Sequence, residues 1–227
     1  MVQCYEDFCS ELMKAGFSLG GGSDKGIFAI VPFDWTEQPE DTPVRWHTGE
    51  PDTDPWEWRM RVLEERSDIA YGKVFFRSSG FITEEWYPYF LAARRQGMTF
   101  EEAWQEGRIS DLARRIYQAV SENGRTPMHD IKRLAGLIGE TSAHIEKAMT
   151  DLQMMMYLTI CGRQQKKNMY GEPYGWSSTV FCTPEEFWHT DSFSLPSEDE
   201  AEQRITARVT ELNPAAQARK IRKFIYG

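Results

Sequence analysis

Positive charge is in short supply in this 227-residue chain: 26 lysines and arginines face 35 aspartates and glutamates, for a net charge of −9. A protein that binds nucleic acid with its whole surface needs the opposite balance, so any contact with phosphate has to come from a local basic patch. Long apolar runs are missing as well. Nothing approaches the roughly eighteen uncharged residues of a membrane span, so no membrane partner is expected. The four cysteines, Cys4, Cys9, Cys161 and Cys182, form no CxxC pair, which removes the common zinc and dithiol motifs. None of the four histidines (His47, His129, His144 and His189) lies in HExxH, and no serine occupies a GxSxG elbow, so metalloprotease and hydrolase chemistry lose their signatures. The first seventeen residues lack a basic segment followed by an apolar core. Together with four reduced thiols, this predicts a cytoplasmic location.

The glycine-rich stretch Gly20–Gly26 fits neither GxxxxGK[ST] nor GxGxxG. It reads as the turn of a hairpin between Phe17–Leu19 and Ile27–Phe33. The acidic loop around His47, Glu50, Asp52 and Asp54 misses the calcium-loop spacing. No metal, no cofactor and no catalytic residue is therefore assigned.

What the chain has in quantity is rings: 13% of its residues are aromatic. Trp46–Arg95 holds four of the eight tryptophans. The stretch is either packed core or a pocket in which Trp56, Trp58 and Tyr71 wall a planar ligand while Arg59 and Lys73 hold its anionic part. Packing is the simpler reading. Locally, Tyr5, Phe8, Cys9, Leu12 and Met13 form one helix face stopped by Gly16. Asp54-Pro55 opens a helix to about Glu65, Ile69–Phe76 is a strand, and Thr83-Glu84-Glu85 opens a helix to Arg95. Thr99 and Glu102 fit a capping box.

From Ile109 the apolar spacing predicts three short helices, ended or capped by Asn123-Gly124, Thr126-Pro127, Gly139 and Thr141. Two apolar strands follow, Tyr157–Cys161 and Ser178–Cys182, around a polar, basic tip. This order is the winged helix-turn-helix plan. The fold class is therefore α+β: an N-terminal mixed region over 1–107, a winged-helix module over 108–190 and a helical tail over 191–227. Between Arg125 and Gly175 seven basic and five acidic residues leave a net charge of +2. On the third helix His144, Lys147, Thr150 and Gln153 are read as outward-facing, and on the wing Arg163, Lys166 and Lys167, so double-stranded DNA is the expected partner. Tyr170, Tyr174 and Trp176 could stack on bases; packing of the wing is the favoured alternative. The tail ends in a basic run, Arg219–Lys223, which could reach phosphate, although such a run is usually a solvated helix face.

With both halves in view, the segments DPWEWR (Asp54–Arg59), YGKVFF (Tyr71–Phe76) and GFITEEWYPYF (Gly80–Phe90), with the helices after Ile109, resemble the AlkZ-related family. That family comprises winged-helix relatives of the alkylpurine DNA glycosylases. The resemblance implies a mixed helix-and-strand fold and a link to DNA. The glycosylases themselves share two glutamines, or a glutamine and an aspartate, around one apolar residue. Gln38-Pro39-Glu40, Gln153-Met154-Met155 and Gln164-Gln165-Lys166 do not match, so no catalytic residue carries over. The expected function is non-catalytic DNA binding. The alternatives are residual base excision, with Glu57, Glu84 or Glu85 as the nearest carboxylates, and a protein-docking module.

Overall fold

The computed structural model describes residues 1–227 except for the side chain of Lys167, so the interaction expected of that lysine lies outside the described residues. The chain divides into two compact units, one of residues 1–96 with 194–227 and one of residues 97–193.

In the first unit, α1 (Tyr5–Ala15) buries Tyr5, Phe8, Cys9 and Leu12, the face set by its i, i+3, i+4, i+7 spacing; Met13 is exposed. Gly16 ends the helix at φ +91°, and a Cβ there would lie 2.2 Å from the Trp86 indole, so both the turn and the packing require glycine. The chain leaves into β1 (Phe17–Leu19). β1 pairs antiparallel with β3 (Ser78–Thr83), which pairs antiparallel with β2 (Ile69–Phe75).

Two expectations are corrected here. Ile27–Phe33 does not form a ladder strand with β1. Leu19 N–H does donate to the Phe28 carbonyl (3.1 Å), but Ile30 N–H is taken by the Ser18 hydroxyl (3.1 Å), a side chain standing where a backbone acceptor would be. The helix expected at Thr83 begins only at Tyr87 (α3, Tyr87–Arg95). Thr83 instead closes β3, its N–H and hydroxyl both donating to the Gly16 carbonyl. Between these, α2 (Pro55–Glu65) starts as read, with Asp54 as N-cap and Pro55 in the first turn.

The tail returns to this unit as α9 (Glu198–Leu212) and α10 (Ala218–Tyr226). Phe224 of α10 stacks on Phe75 with centroids 4.1 Å apart, and meets Phe17 (5.4 Å) and Phe90 (5.5 Å). Beneath this knot lies Arg94, a cation only 3% exposed. Its Nε donates to the Ile225 carbonyl (2.9 Å) and its Nη2 to the Phe224 carbonyl (3.0 Å). Its guanidinium lies 5.6 Å from the Phe75 centroid and 5.7 Å from that of Phe90. Burial pushes this guanidinium below its ordinary value. The carbonyls it serves are among those that a helix leaves unsatisfied at its C-terminus, where a cation also complements the dipole.

The second unit opens with α4 (Phe100–Gln105), whose capping box of Thr99 and Glu102 is complete. Then come α5 (Asp111–Asn123), β4 (Thr126–Pro127), α6 (Met128–Leu134), α7 (Ser142–Met154), β5 (Thr159–Lys167), β6 (Pro173–Cys182) and α8 (Pro184–Phe187). β6 pairs antiparallel with both β5 and β4. Phe100 stacks on Tyr117 at 3.6 Å, and Tyr157 meets Phe100 edge-on at 5.1 Å.

Replacing Arg94 by Met leaves the two helix-end carbonyls buried without these donors. Each such loss costs about 1–3 kcal/mol, so urea denaturation should show R94M less stable by roughly 2–6 kcal/mol. A midpoint unchanged from wild type would refute this role for Arg94.

Candidate nucleic-acid interface

The hairpin of β5 and β6 is built to hold rings in solvent. Asn168 makes its tip: its side-chain oxygen accepts the N–H groups of Tyr170 (2.9 Å) and Glu172 (3.0 Å), and its own N–H donates to the Glu172 carbonyl (2.9 Å). Such an Asx-type turn fixes local backbone without needing any support from the ring beside it. Accordingly Tyr170 is 79% exposed, Trp176 95%, and Met169 and Tyr174 are exposed as well. The favoured expectation that the rings pack the wing down is corrected. Tyr174 stands directly across from Lys166, and between Tyr174 and Ser178 the register of the ladder shifts, with Gly175 at φ +71°. Gln165 Nε2 donates to the Gly175 carbonyl (3.1 Å), bracing the two strands just below the tip. Arg163, one strand position from Gln164, is exposed.

On α7 the first turn is capped by Thr141, whose hydroxyl accepts the His144 N–H (3.2 Å). His144 and Lys147 are exposed, and the Lys147 ammonium is paired with Asp151 at 2.6 Å. Gln153, expected outward, is buried: it is 2% exposed and its amide donates to the Met149 carbonyl (2.9 Å). Thr150 is buried too. The reason is local. The last turns of α7 are covered on more than one face, with Met149, Leu152 and Met154 also inside, so the polar stripe ends near Lys147. Of the expected residues, then, His144 and Lys147 share one exposed helix turn, Arg163 and Lys166 share strand β5, and Gln153 belongs to the interior.

Near the base of the hairpin Cys161 and Cys182 are buried, and their thiols are hydrogen-bonded to each other. That bond, with burial, pushes the Cys182 thiol far above its ordinary value, which leaves it without thiolate character. Arg125 Nη2 donates to the Cys161 carbonyl, and the Cys161 thiol, bonded to Cys182 and near the Arg125 guanidinium, lies below its ordinary value.

The Trp46–Arg95 stretch separates into two populations. Trp58 is 1% exposed and packs on Phe8 (5.0 Å) with its Nε1 donating to the Pro51 carbonyl (3.1 Å); Tyr71 is buried against Phe81 (5.0 Å). The cavity beside Trp58 measures about 10 Å³, at the lower limit for a single water. Trp56, two residues earlier, is 46% exposed, with the Arg59 guanidinium 3.3 Å from its ring centroid and His47 at 5.1 Å. Asp54 sets this up: its carboxylate accepts the N–H groups of His47 (3.1 Å), Gly49 (2.9 Å) and Trp56 (2.8 Å). Lys73 is half-buried on β2. The five residues therefore do not wall one pocket. A wider open cleft, of about 550 Å³, lies instead between α1 and Phe28–Ile30, lined by none of them. Among the described residues no three His, Cys, Asp or Glu side chains cluster as metal ligands, and no helix is long and apolar enough to cross a membrane.

Fold and surface together define a mixed α+β protein that presents a capped helix and a ring-bearing basic hairpin to solvent. The family model described as AlkZ related matches residues 2–226, and the chain belongs to that family. Among solved structures it is similar to the Streptomyces sahachiroi DNA glycosylase AlkZ, at 12% identity and a TM-score of 0.40. That match covers 76% of this chain and 50% of AlkZ, so the chain spans about half the length of that enzyme. No curated protein matches the sequence.

The two tryptophans of α2 should respond oppositely to truncation. Trp58→Ala removes a buried ring and should cost about 3–5 kcal/mol, whereas Trp56→Ala should stay within about 1 kcal/mol of wild type. Thermal and urea unfolding of the two variants read this directly; equal losses would contradict it.

Proposed function

We propose that the chain is a DNA-binding protein that does not excise bases. In this reading residues 108–190 act as a winged helix-turn-helix, with α5, α6 and α7 as its helices and β5–β6 as its wing. The observation that carries the reading is the tip of the hairpin: Tyr170, Tyr174 and Trp176 stand in solvent beside Lys166, with Arg163 further down the strand. Apolar rings held out of a core mark an interaction surface. Rings next to cations suit a nucleic acid in particular, because bases stack on the rings while phosphates meet the ammonium and guanidinium groups. Wedge insertion into the minor groove is one way such a tip is used. On α7, His144 reaches toward base edges and Lys147 serves phosphate, exchanging its pair with Asp151 for the backbone. Membership of the AlkZ-related family agrees with a DNA partner.

Base excision is left out of the reading because the residues offer no constellation for it. The chain lacks the glutamine-based motif, and Glu84 and Glu85, the nearest exposed carboxylates to the aromatic stretch, carry no arrangement that would position water. Glu85 lies 3.5 Å from Arg204.

Fluorescence anisotropy with a labelled duplex near 50 mM salt should show saturable, salt-sensitive binding. Tyr174→Ala with Trp176→Ala should weaken it about tenfold or more, since stacking contributes about 1–3 kcal/mol per base. K166A should reduce the salt slope by about 0.9, one phosphate's worth. Alkylated duplex incubated with the protein should keep every base. Loss of the rings with no change in affinity would assign the wing to protein docking instead, and absence of any binding at low salt would end the proposal.

A further inference from the structure

A second concentration of positive charge lies in the first unit, far along the chain from the wing. α10 carries Arg219, Lys220, Arg222 and Lys223 with no acidic residue between Ala218 and Tyr226. Its buried side is Ile221, Phe224 and Ile225, so helical spacing puts Lys220 and Lys223, three residues apart, on one flank. That flank faces the glycine-rich loop. The Lys220 ammonium comes so near Gly26 that a Cβ there would lie 2.6 Å from it; Gly26, at φ +72°, leaves the space. From the same loop Lys25 extends inward, its Nζ donating to the Ser78 hydroxyl (2.5 Å) and lying 5.9 Å from the Phe76 centroid. Burial lowers the Lys25 ammonium from its ordinary value, and the charge of Lys223 lowers it further.

Several other cations of this unit are matched: Arg61 with Asp52 and Glu65, Arg66 with Asp68, Arg208 with Glu211. Among the described residues none of Lys25, Lys220 and Lys223 has a carboxylate within 4 Å. The one acid of the loop, Asp24, turns its Oδ1 to the Gly26 N–H (2.7 Å). Next to Ser78 the β2–β3 turn, Phe76-Arg77, holds both residues at positive φ (50° and 59°) and keeps Arg77 exposed. Asn-Gly would make that turn at far less strain. In a protein with nine excess negative charges, lysines gathered at one loop without carboxylates are the arrangement an anion completes.

We propose that Lys25, Lys220 and Lys223 form a phosphate-binding site in the first unit, and that it takes a backbone phosphate of double-stranded DNA. The site adds to the hairpin surface and rests on the DNA-binding reading above. It is not a phosphate loop of the nucleotide-binding kind, because the loop leads into neither a helix nor a run of free backbone N–H groups. Its donors are ammonium groups, which bind phosphate as point charges without base preference.

The full chain is titrated with a labelled duplex across a series of salt concentrations, as wild type, K220A/K223A, K220Q/K223Q and K166A. Both pairs of substitutions fall on exposed positions of a helix, and circular dichroism checks the fold of each variant. The expected result is a salt slope reduced by about 0.9 in either double variant, the one phosphate no longer neutralised, alongside the separate reduction in K166A. If wild type binds DNA and both double variants keep its slope, this site is overturned while the hairpin reading stands. If wild type binds no duplex, both fall together. A third arm follows the thermal midpoint in inorganic phosphate. A rise abolished by K220A/K223A, with the duplex slope unchanged, would mark a free-phosphate site and overturn the assignment to DNA.

Discussion

Arg94 is the group on which the first unit depends. A guanidinium with almost no access to water is costly to bury, and hydrogen bonding must offset that cost. Here the compensation comes from the end of α10, the carbonyls of Phe224 and Ile225, which are themselves short of donors at a helix C-terminus. Each side thus satisfies a need of the other. Removing either leaves polar groups stranded beneath an aromatic knot. The coupling ties residue 94 to residues 130 and 131 positions further on, so the last helix is a structural part of the N-terminal core. Phe224 fills the centre of that core, and its place is held from both ends, by stacking on Phe75 and by the main-chain bonds to Arg94. The position of Lys220 and Lys223 beside the glycine loop follows from the same anchoring, since a helix fixed by its C-terminal carbonyls and its apolar face has no remaining freedom to rotate.

Charge is distributed differently on the two basic surfaces. On α7 and in the α5–α6 region cations stand beside acids: Lys147 with Asp151, Arg115 with Glu140, Arg133 with Asp130. Exposed pairs of this kind contribute little to stability, and they reduce the field an approaching phosphate meets. The β5–β6 hairpin departs from this by offering exposed rings where charge is modest. The α10 flank offers charge without carboxylates. In a protein of net charge −9 the α10 flank is a local concentration of positive charge.

What the sequence made legible was mostly local. Asp54 before Pro55, the Thr99–Glu102 box, Thr141 before α7 and Gly16 after α1 all report backbone groups that a single neighbouring side chain or turn satisfies, and each is found where its chemistry places it. The failures share another cause, competition settled at long range. Ile27–Phe33 has strand composition, but the hydroxyl of Ser18 occupies one rung and β3 takes the edge of β1. Gln153 has outward spacing on α7, but the last turns of that helix are covered on more than one face. Tyr174 and Trp176 have the composition of a packed patch, yet the turn around Asn168 supports itself and asks nothing of them. Propensity and period describe one element at a time. None of these outcomes is decided within one element.

The same contrast explains how Trp46–Arg95 holds both core and surface within ten residues. Asp54 binds three backbone N–H groups at once, and that fixes the loop before α2 as rigidly as a ladder would. With the loop fixed, the helical period decides the rest: Trp58 turns inward onto Phe8, and Trp56, about 200° away around the helix, turns out to stack under Arg59. An exposed indole covered by its own arginine keeps its face from other partners at modest cost, because the guanidinium is weakly hydrated and sacrifices little by lying flat. The rings on the wing have no such cover among the described residues. Two sets of aromatic side chains thus reach the surface of this protein under opposite conditions, and it is the uncovered set, beside Lys166, that has an unmet demand for a flat partner.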